Sequence, residues 1–337
     1  MRIVIAGAGA IGGYLGALLA KAGADVVLFA RGPHLKAMQE RGLRVISAED
    51  GDFEVKLGAP KPGRGGPHVT GDLSTIGTAD VVFLGVKAHA LTGLAPSLPP
   101  LFGPDTVVIS TQNGIPWWYF QNVPGELNNL RLERVDPGGV IAQAIEPRRV
   151  VGSLAYFATD IVEPGVIRHI EGNRLSFGEP DGSKSERAKK IAETLIAAGL
   201  RCPVTTRFRH EIWVKLLGNV AFNPISALTG GTLAELVRHP DTNRVVRELM
   251  AETEAVAGKL GIELPISIDQ RMAGAEKVGA HKTSMLQDLE AGRPMEIEAV
   301  VGAVVELGDR LGVAMPSTRA VYACAKMLNE HRARIVA

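Results

Sequence analysis

The chain has 337 residues, 46% of them hydrophobic, and a formal net charge of +1. That length suits two domains with separate cores, and the near-neutral balance gives no electrostatic case for nucleic acid or an anionic membrane. No apolar run approaches the ~18 residues of a membrane span. 

Met1–Ala6 reads as a β-branched core strand, which leaves no room ahead of it for a signal peptide. It runs into Gly7-Ala8-Gly9-Ala10-Ile11-Gly12 and then an apolar helical stretch, Gly13–Ala20. A GxGxxG placed between a buried strand and a helix is the dinucleotide-binding fingerprint. Gly7 permits the tight turn, Gly9 lets backbone approach a pyrophosphate, and Gly12 lets helix and strand pack closely. The free N–H groups of the helix N-terminus then face the phosphates.

Asp25–Phe29 reads as the second strand. A site for NAD carries Asp or Glu at the end of this strand, for the ribose 2′-hydroxyl. Here Ala30-Arg31-Gly32 follows, and a guanidinium suits a 2′-phosphate. The expectation is NADP(H), with Arg31 as its marker. Pro60–Pro67 reads as a loop, and Asp72–Ile76 as a short helix start. Val81–Val86 and Thr106–Ser110 are apolar runs, as in parallel strands buried on both faces. Ligands of open α/β sheets bind at the carboxyl ends of strands. That rule directs attention to Lys87, and to Asn113 within Thr111-Gln112-Asn113-Gly114. The plainer readings are a snorkelling surface lysine and a turn former.

Val151–Thr159, Val166–Ile170 and Arg174–Phe177 read as short antiparallel strands. Glu163-Pro164-Gly165 and Glu171-Gly172-Asn173 read as the turns between them. An amphipathic helix over Ser185–Ala198 and a last strand at Cys202-Pro203-Val204 follow. From about Phe208 strand signals vanish. Helices are expected over Asp241–Leu260, Glu296–Leu311 and Ser317–Arg332. The organisation is an α/β Rossmann-type dinucleotide-binding domain over 1–206 and an all-helical domain over 207–337. A ligand cleft is expected between them. Cys202 and Cys324 lie far apart and outside any CxxC, as in a reduced cytoplasmic protein. The eight His include no pair at ligand spacing, so no metal site is expected.

The chemistry comes from the second half. In His210–Pro224, Lys215, Asn219 and Asn223 recur at i, i+4 and i+8 on one face of an otherwise apolar helix. A buried lysine beside two amides is costly unless that face meets a polar ligand or water. Desolvation lowers its pKa toward the range of a general acid. Such an acid supplies the proton that a ketone needs after hydride addition. The plainer alternative pairs Lys215 with Glu211. Ser284 reads as the N-cap of the next helix, with Gln287 closing a capping box, and Glu296 as a first-turn acid.

Taken together these segments resemble the ketopantoate reductase (2-dehydropantoate 2-reductase) family. The resemblance spans nearly the whole chain. It rests on the glycine loop, Lys87, Gln112-Asn113-Gly114, Trp213-x-Lys215-x3-Asn219-x3-Asn223-Pro224, and Ser284-Met285-Leu286-Gln287-Asp288 followed by Glu296. It implies a 6-phosphogluconate-dehydrogenase-like fold and NADPH-dependent reduction of 2-dehydropantoate to (R)-pantoate, a step of pantothenate synthesis. By the resemblance Lys215 is the proton donor, and Asn219, Asn223 and Ser284 bind the oxygens of a small 2-oxo acid. Asn113 lies between cofactor and substrate, and Glu296 serves the nicotinamide ribose side. A homodimer is compatible with the long C-terminal helices.

The chain departs from the family pattern at Trp117-Trp118-Tyr119-Phe120 and at His281, where an Asn is expected; Leu228–Thr232 also lacks one. The aromatic run reads either as a lid that admits a bulkier 2-oxo acid or as a core or dimer contact. A non-catalytic NADP(H) sensor is the reading from another class, and the Lys215 stripe argues against it.

Overall fold

The computed structural model describes residues 1–49, 51–58 and 66–336, with side chains described to His331. The expected loop at Pro60–Pro67 lies outside the described residues up to Gly65. The chain divides into two compact units. The first comprises Met1–Gln112, Trp118–Leu130 and Gly139–Phe208; the second comprises Asn113–Trp117, Arg131–Gly138 and Arg209–Ala337.

The first unit opens with β1 (Arg2–Ala6), α1 (Ala10–Lys21), β2 (Asp25–Phe29), α2 (Gly32–Arg41), β3 (Leu43–Ser47) and β4 (Phe53–Val55). It continues through β5 (His68–Thr70), β6 (Ala79–Leu84), α3 (Ala88–Leu94), β7 (Phe102–Ser110) and α4 (Val140–Ala144). The hairpin β8 (Val150–Glu163) and β9 (Val166–Gly178) and then α5 (Glu186–Ala197) complete it. Among the described residues the nine strands form one sheet, ordered β4-β3-β9-β8-β7-β6-β1-β2-β5. The run β5-β2-β1-β6-β7-β8 is parallel throughout. This is the doubly wound dinucleotide order, with its topological switch between β1 and β6. β1 and β2 are buried along all but their first residue, as their continuous Ile, Val and Leu demand.

Three local expectations are corrected. Arg174–Phe177 is not a separate strand: β9 is continuous, and Glu171-Gly172-Asn173 is a bulge, with register shifts opposite at Tyr156, Ala158 and Thr159. Gly172 has φ +77°, so the residue that signals a turn also serves a bulge. Cys202-Pro203-Val204 makes only isolated bridges, Arg201 to Arg174 and Val204 to Phe177, because Pro203 has no N–H to continue a ladder. The N-cap of the Ser284 helix is Thr283, whose hydroxyl accepts from Leu286 N–H at 3.3 Å; Ser284 is the first helical residue and is exposed.

The second unit is helical: α6 (Phe208–Thr229), α7 (Leu233–Arg238), α8 (Pro240–Lys259), α9 (Ile268–Val278) and α10 (Ser284–Glu290). α11 (Ala303–Leu311) and α12 (Pro316–Val336) follow. Leu217, Phe222 and Ile225 of α6 pack with Leu249 and Met250 of α8 and Met272 of α9 in its core. The helix expected from Glu296 is interrupted by a π turn over Glu298–Gly302. No helix among the described residues is long and apolar enough to cross a membrane.

Candidate functional site

In the first unit the end of β1, the end of β2 and the start of α2 enclose a pocket of about 380 Å³. Gly7, Ala8, Gly9, Arg31, His34 and Val86 are among its walls. Gly7 holds φ +113°, and a side chain there would strike Val86. A side chain at Gly12 would overlap the Gly7 carbonyl, whereas one at Gly9 would meet nothing closer than Gly85 O at 4.0 Å. The loop is therefore packed shut at Gly7 and Gly12 and open at Gly9, as the glycine fingerprint of a dinucleotide site requires. Ala8 N–H donates to Phe29 O at 2.7 Å, which ties the loop to β2. Arg31 is the exposed N-cap residue of α2, its guanidinium 5.2 Å from the Phe29 ring centre. Ala10 and Ile11 stand in the first turn of α1, and Lys87 is the N-cap residue of α3, directly after Val86.

Sequence reasoning missed His34 and named Gln112 only as part of a motif, with no role. Gly165 N–H donates to His34 Nδ1 at 3.0 Å, and burial lowers the imidazole pKa, so His34 is neutral and carries its proton on Nε2. Its only sequence signal was position, three residues after Arg31. Gln112 Nε2 donates to Leu84 O at 2.7 Å and to Val86 O at 2.8 Å, closing off the end of β6. Gln112 Oε1 is buried with no hydrogen-bond partner among the described residues, an acceptor left over where a ligand amide or hydroxyl would satisfy it. A glycine cradle open at Gly9, an arginine beyond β2 and this orphaned acceptor fit a phosphorylated dinucleotide.

In the second unit α6 carries Lys215, Asn219 and Asn223. Lys215 and Asn219 are half-buried, and Asn223 is buried. Desolvation pulls the Lys215 ammonium from 10.5 down to about 8, and the Glu296 carboxylate acts in the opposite direction. Glu296 Oε2 also accepts from Asn113 Nδ2 at 3.2 Å. Lys215, Glu296 and Asn113 are thus one electrostatic group built from three distant segments.

The π turn explains how Asn113 gets there. Ala303 N–H bonds to Glu298 O, five residues back, which releases the carbonyl of Ala299. Ile115 N–H donates to that carbonyl at 3.0 Å. Gly114, at φ +92°, lies directly against it and has no room for a side chain.

The aromatic run is a core element. Trp117, Trp118, Tyr119 and Phe120 are all at most 7% exposed. Trp118 Nε1 donates to Ser110 Oγ at 2.9 Å, and its ring stacks with Phe208 at 6.1 Å. His281 uses its main-chain carbonyl to accept from Leu233 N–H at 3.1 Å.

The family model described as ketopantoate reductase PanE/ApbA matches residues 3–182, and that of its C-terminal region matches 207–329. A 2-dehydropantoate 2-reductase of Mesorhizobium japonicum is 50% identical, over 98% of this chain and 99% of its own. A crystal structure of a candidate ketopantoate reductase from Ralstonia solanacearum MolK2 superposes with a TM-score of 0.91 at 39% identity, covering 98% of both chains. That of 2-dehydropantoate 2-reductase from Methylococcus capsulatus gives 0.79 at 31% identity, again over 98% of both.

Proposed function

This chain belongs to the ketopantoate reductase PanE/ApbA family, and from that premise we propose that it reduces 2-dehydropantoate to (R)-pantoate with NADPH, as in pantothenate synthesis. The single observation that carries the reading is Lys215: a desolvated lysine, tuned to about 8, on a helix face that also bears Asn219 and Asn223. A nucleotide-binding fold alone needs no such group.

Residues 1–206 bind the cofactor in this reading. The backbone of Gly7–Gly12 takes the pyrophosphate, Arg31 the 2′-phosphate and Lys87 the ribose side. The bound nicotinamide supplies a hydride. Everything else falls to side chains of 207–337 together with Asn113. Lys215 Nζ donates a proton to the carbonyl oxygen as negative charge develops there. Asn219, Asn223 and Ser284 hold the carboxylate and hydroxyl oxygens of the small 2-oxo acid. Asn113 and Glu296 orient the reacting end, and Glu296 keeps Lys215 protonated at neutral pH. The reaction requires the substrate carbonyl to lie within reach of both the cofactor and Lys215. We place it in the cytoplasm, where Cys202 stays a thiol: burial pushes its pKa up to about 12, which leaves almost no thiolate.

The test is NADPH oxidation followed with 2-dehydropantoate and with a panel of aromatic and branched 2-oxo acids. The highest kcat/KM falls on 2-dehydropantoate. A higher value with an aromatic acid would overturn the substrate, and no turnover at all would overturn the enzyme. The buried aromatic run favours the small substrate, because Trp118 is already committed to Ser110 and Phe208.

A further inference from the structure

A π turn departs from regular i→i−4 helical hydrogen bonding, is rare, and occurs frequently at functional sites. The turn over Glu298–Gly302 has support on two sides. On one side Ile115 N–H takes up the released Ala299 carbonyl at 3.0 Å. On the other, Glu298 is clamped to α12. Its Oε2 accepts from Tyr322 Oη at 2.7 Å, and its Oε1 pairs with Lys326 Nζ at 2.9 Å. Arg134 Nη1 approaches the same carboxylate at 3.5 Å, and its guanidinium lies 5.7 Å from the Tyr322 ring centre. Arg134 is itself fixed, because Glu306 accepts the backbone N–H groups of Glu133 and Arg134, each at 3.0 Å. Burial and the Glu298 anion push the Tyr322 hydroxyl well above its ordinary pKa, so it remains a donor. Gly302 keeps the turn open to this clamp: a side chain there would sit 2.7 Å from Glu298 Oε2 and 3.1 Å from Tyr322 Oη.

We propose that Glu298 and Tyr322 are positioning residues for the reduction: they lock the π turn so that Gly114-Ile115 docks on Ala299 and Asn113 is held against Glu296. The sequence of contacts is continuous. The Glu298 side chain meets Tyr322 and Lys326. The Ala299 carbonyl, one residue on, receives Ile115. Two residues before Ile115, Asn113 reaches Glu296, and Glu296 acts on Lys215. Neither Glu298 nor Tyr322 is assigned any contact with substrate or cofactor. They act by fixing where one backbone carbonyl points.

The inference rests on the proton-donor reading of Lys215, and its test separates the two. Hydrogen exchange at the Ile115 amide is followed by mass spectrometry in the wild type, in Tyr322→Phe and in Glu298→Gln. Glu298→Gln keeps an acceptor for Tyr322 but removes both ion pairs, so it is the milder variant if Tyr322→Phe folds poorly. The pH profile of kcat/KM is recorded for the same proteins. Exchange at Ile115 rises at least tenfold, and the alkaline limb of the profile moves to lower pH as Glu296 loses its placement. NADPH affinity, measured by fluorescence, stays within twofold. Unchanged exchange in both variants overturns the proposal. Faster exchange with an unmoved pH profile overturns it too, since the clamp would then serve stability alone. Lys215→Ala keeps wild-type exchange at Ile115, and turnover surviving in that variant would overturn the proton-donor reading instead.

Discussion

Asn113 donates its side-chain amide to Glu296 Oε2 at 3.2 Å, joining residues 183 positions apart in the chain. The bond forms because Gly114 lies flat on the Ala299 carbonyl, within the π turn that begins two residues after Glu296. A side chain at 114 would meet both a positive φ and a backbone oxygen. Gly114→Ala therefore costs about 1–3 kcal/mol in backbone strain alone, and it displaces Asn113. The expected outcome is a lower Tm with kcat reduced more than NADPH affinity. Wild-type kcat in Gly114→Ala would contradict the docking.

In the proposed reduction Lys215 sets the pH dependence. Donation requires its protonated form, so kcat/KM for reduction is flat below about pH 8 and falls roughly tenfold per pH unit above it. Glu296 raises this pKa, so Glu296→Gln moves the alkaline limb to lower pH. A limb unmoved in Glu296→Gln would contradict the coupling.

The same lysine costs stability. Its folded-state pKa of about 8 lies below the ordinary 10.5. Between those values the unfolded chain binds more protons, and stability therefore rises with pH across that window. Below it, the folded protein carries the full cost of a desolvated charge. Lys215→Met is expected to raise Tm by a few degrees at pH 7, and the gain shrinks toward pH 10.5. Differential scanning calorimetry at the two pH values checks the sign; a lower Tm at pH 7 would contradict it.

Arg31 lines the glycine-loop pocket and follows β2 where a carboxylate would mark NAD. A charge-assisted contact is worth roughly 1.5–3 kcal/mol, so Arg31→Ala should weaken NADPH binding by about tenfold to a hundredfold. NADH binding should hardly change. Equal losses for the two cofactors, measured by titration calorimetry, would remove Arg31 from 2′-phosphate recognition.

Trp118 tests the core assignment of the aromatic run. Trp118→Phe loses the bond to Ser110 Oγ and costs roughly 1–2 kcal/mol in hydrogen bonding and fit. The ranking of 2-oxo acids by kcat/KM stays the same. A changed ranking would return these rings to the substrate.

What the sequence revealed followed the range of the interactions. The glycine loop, β2 and Arg31 were legible because strand, turn and helix are consecutive and each glycine has a local reason. The Lys215-Asn219-Asn223 stripe was legible because helical spacing alone puts the three on one face. The π turn was not: the Ala299 carbonyl it releases is taken up by Ile115, far away in sequence. His34 was missed for a similar reason, since its tautomer is set by Gly165 in the β8–β9 hairpin. Gly172 misled because a turn and a bulge both use its positive φ. At 283–284 two adjacent hydroxyl residues compete to cap one helix, and only the observed bond to Leu286 N–H decides for Thr283.

The central claim is that Lys215 delivers the proton in an NADPH-dependent reduction of 2-dehydropantoate. Its most direct test is single-turnover NADPH oxidation by Lys215→Ala with saturating 2-dehydropantoate. The rate should fall by about 10²–10⁴-fold, the usual contribution of a general acid, while the Kd for NADPH stays within twofold of wild type. A rate within about tenfold of wild type would contradict the account.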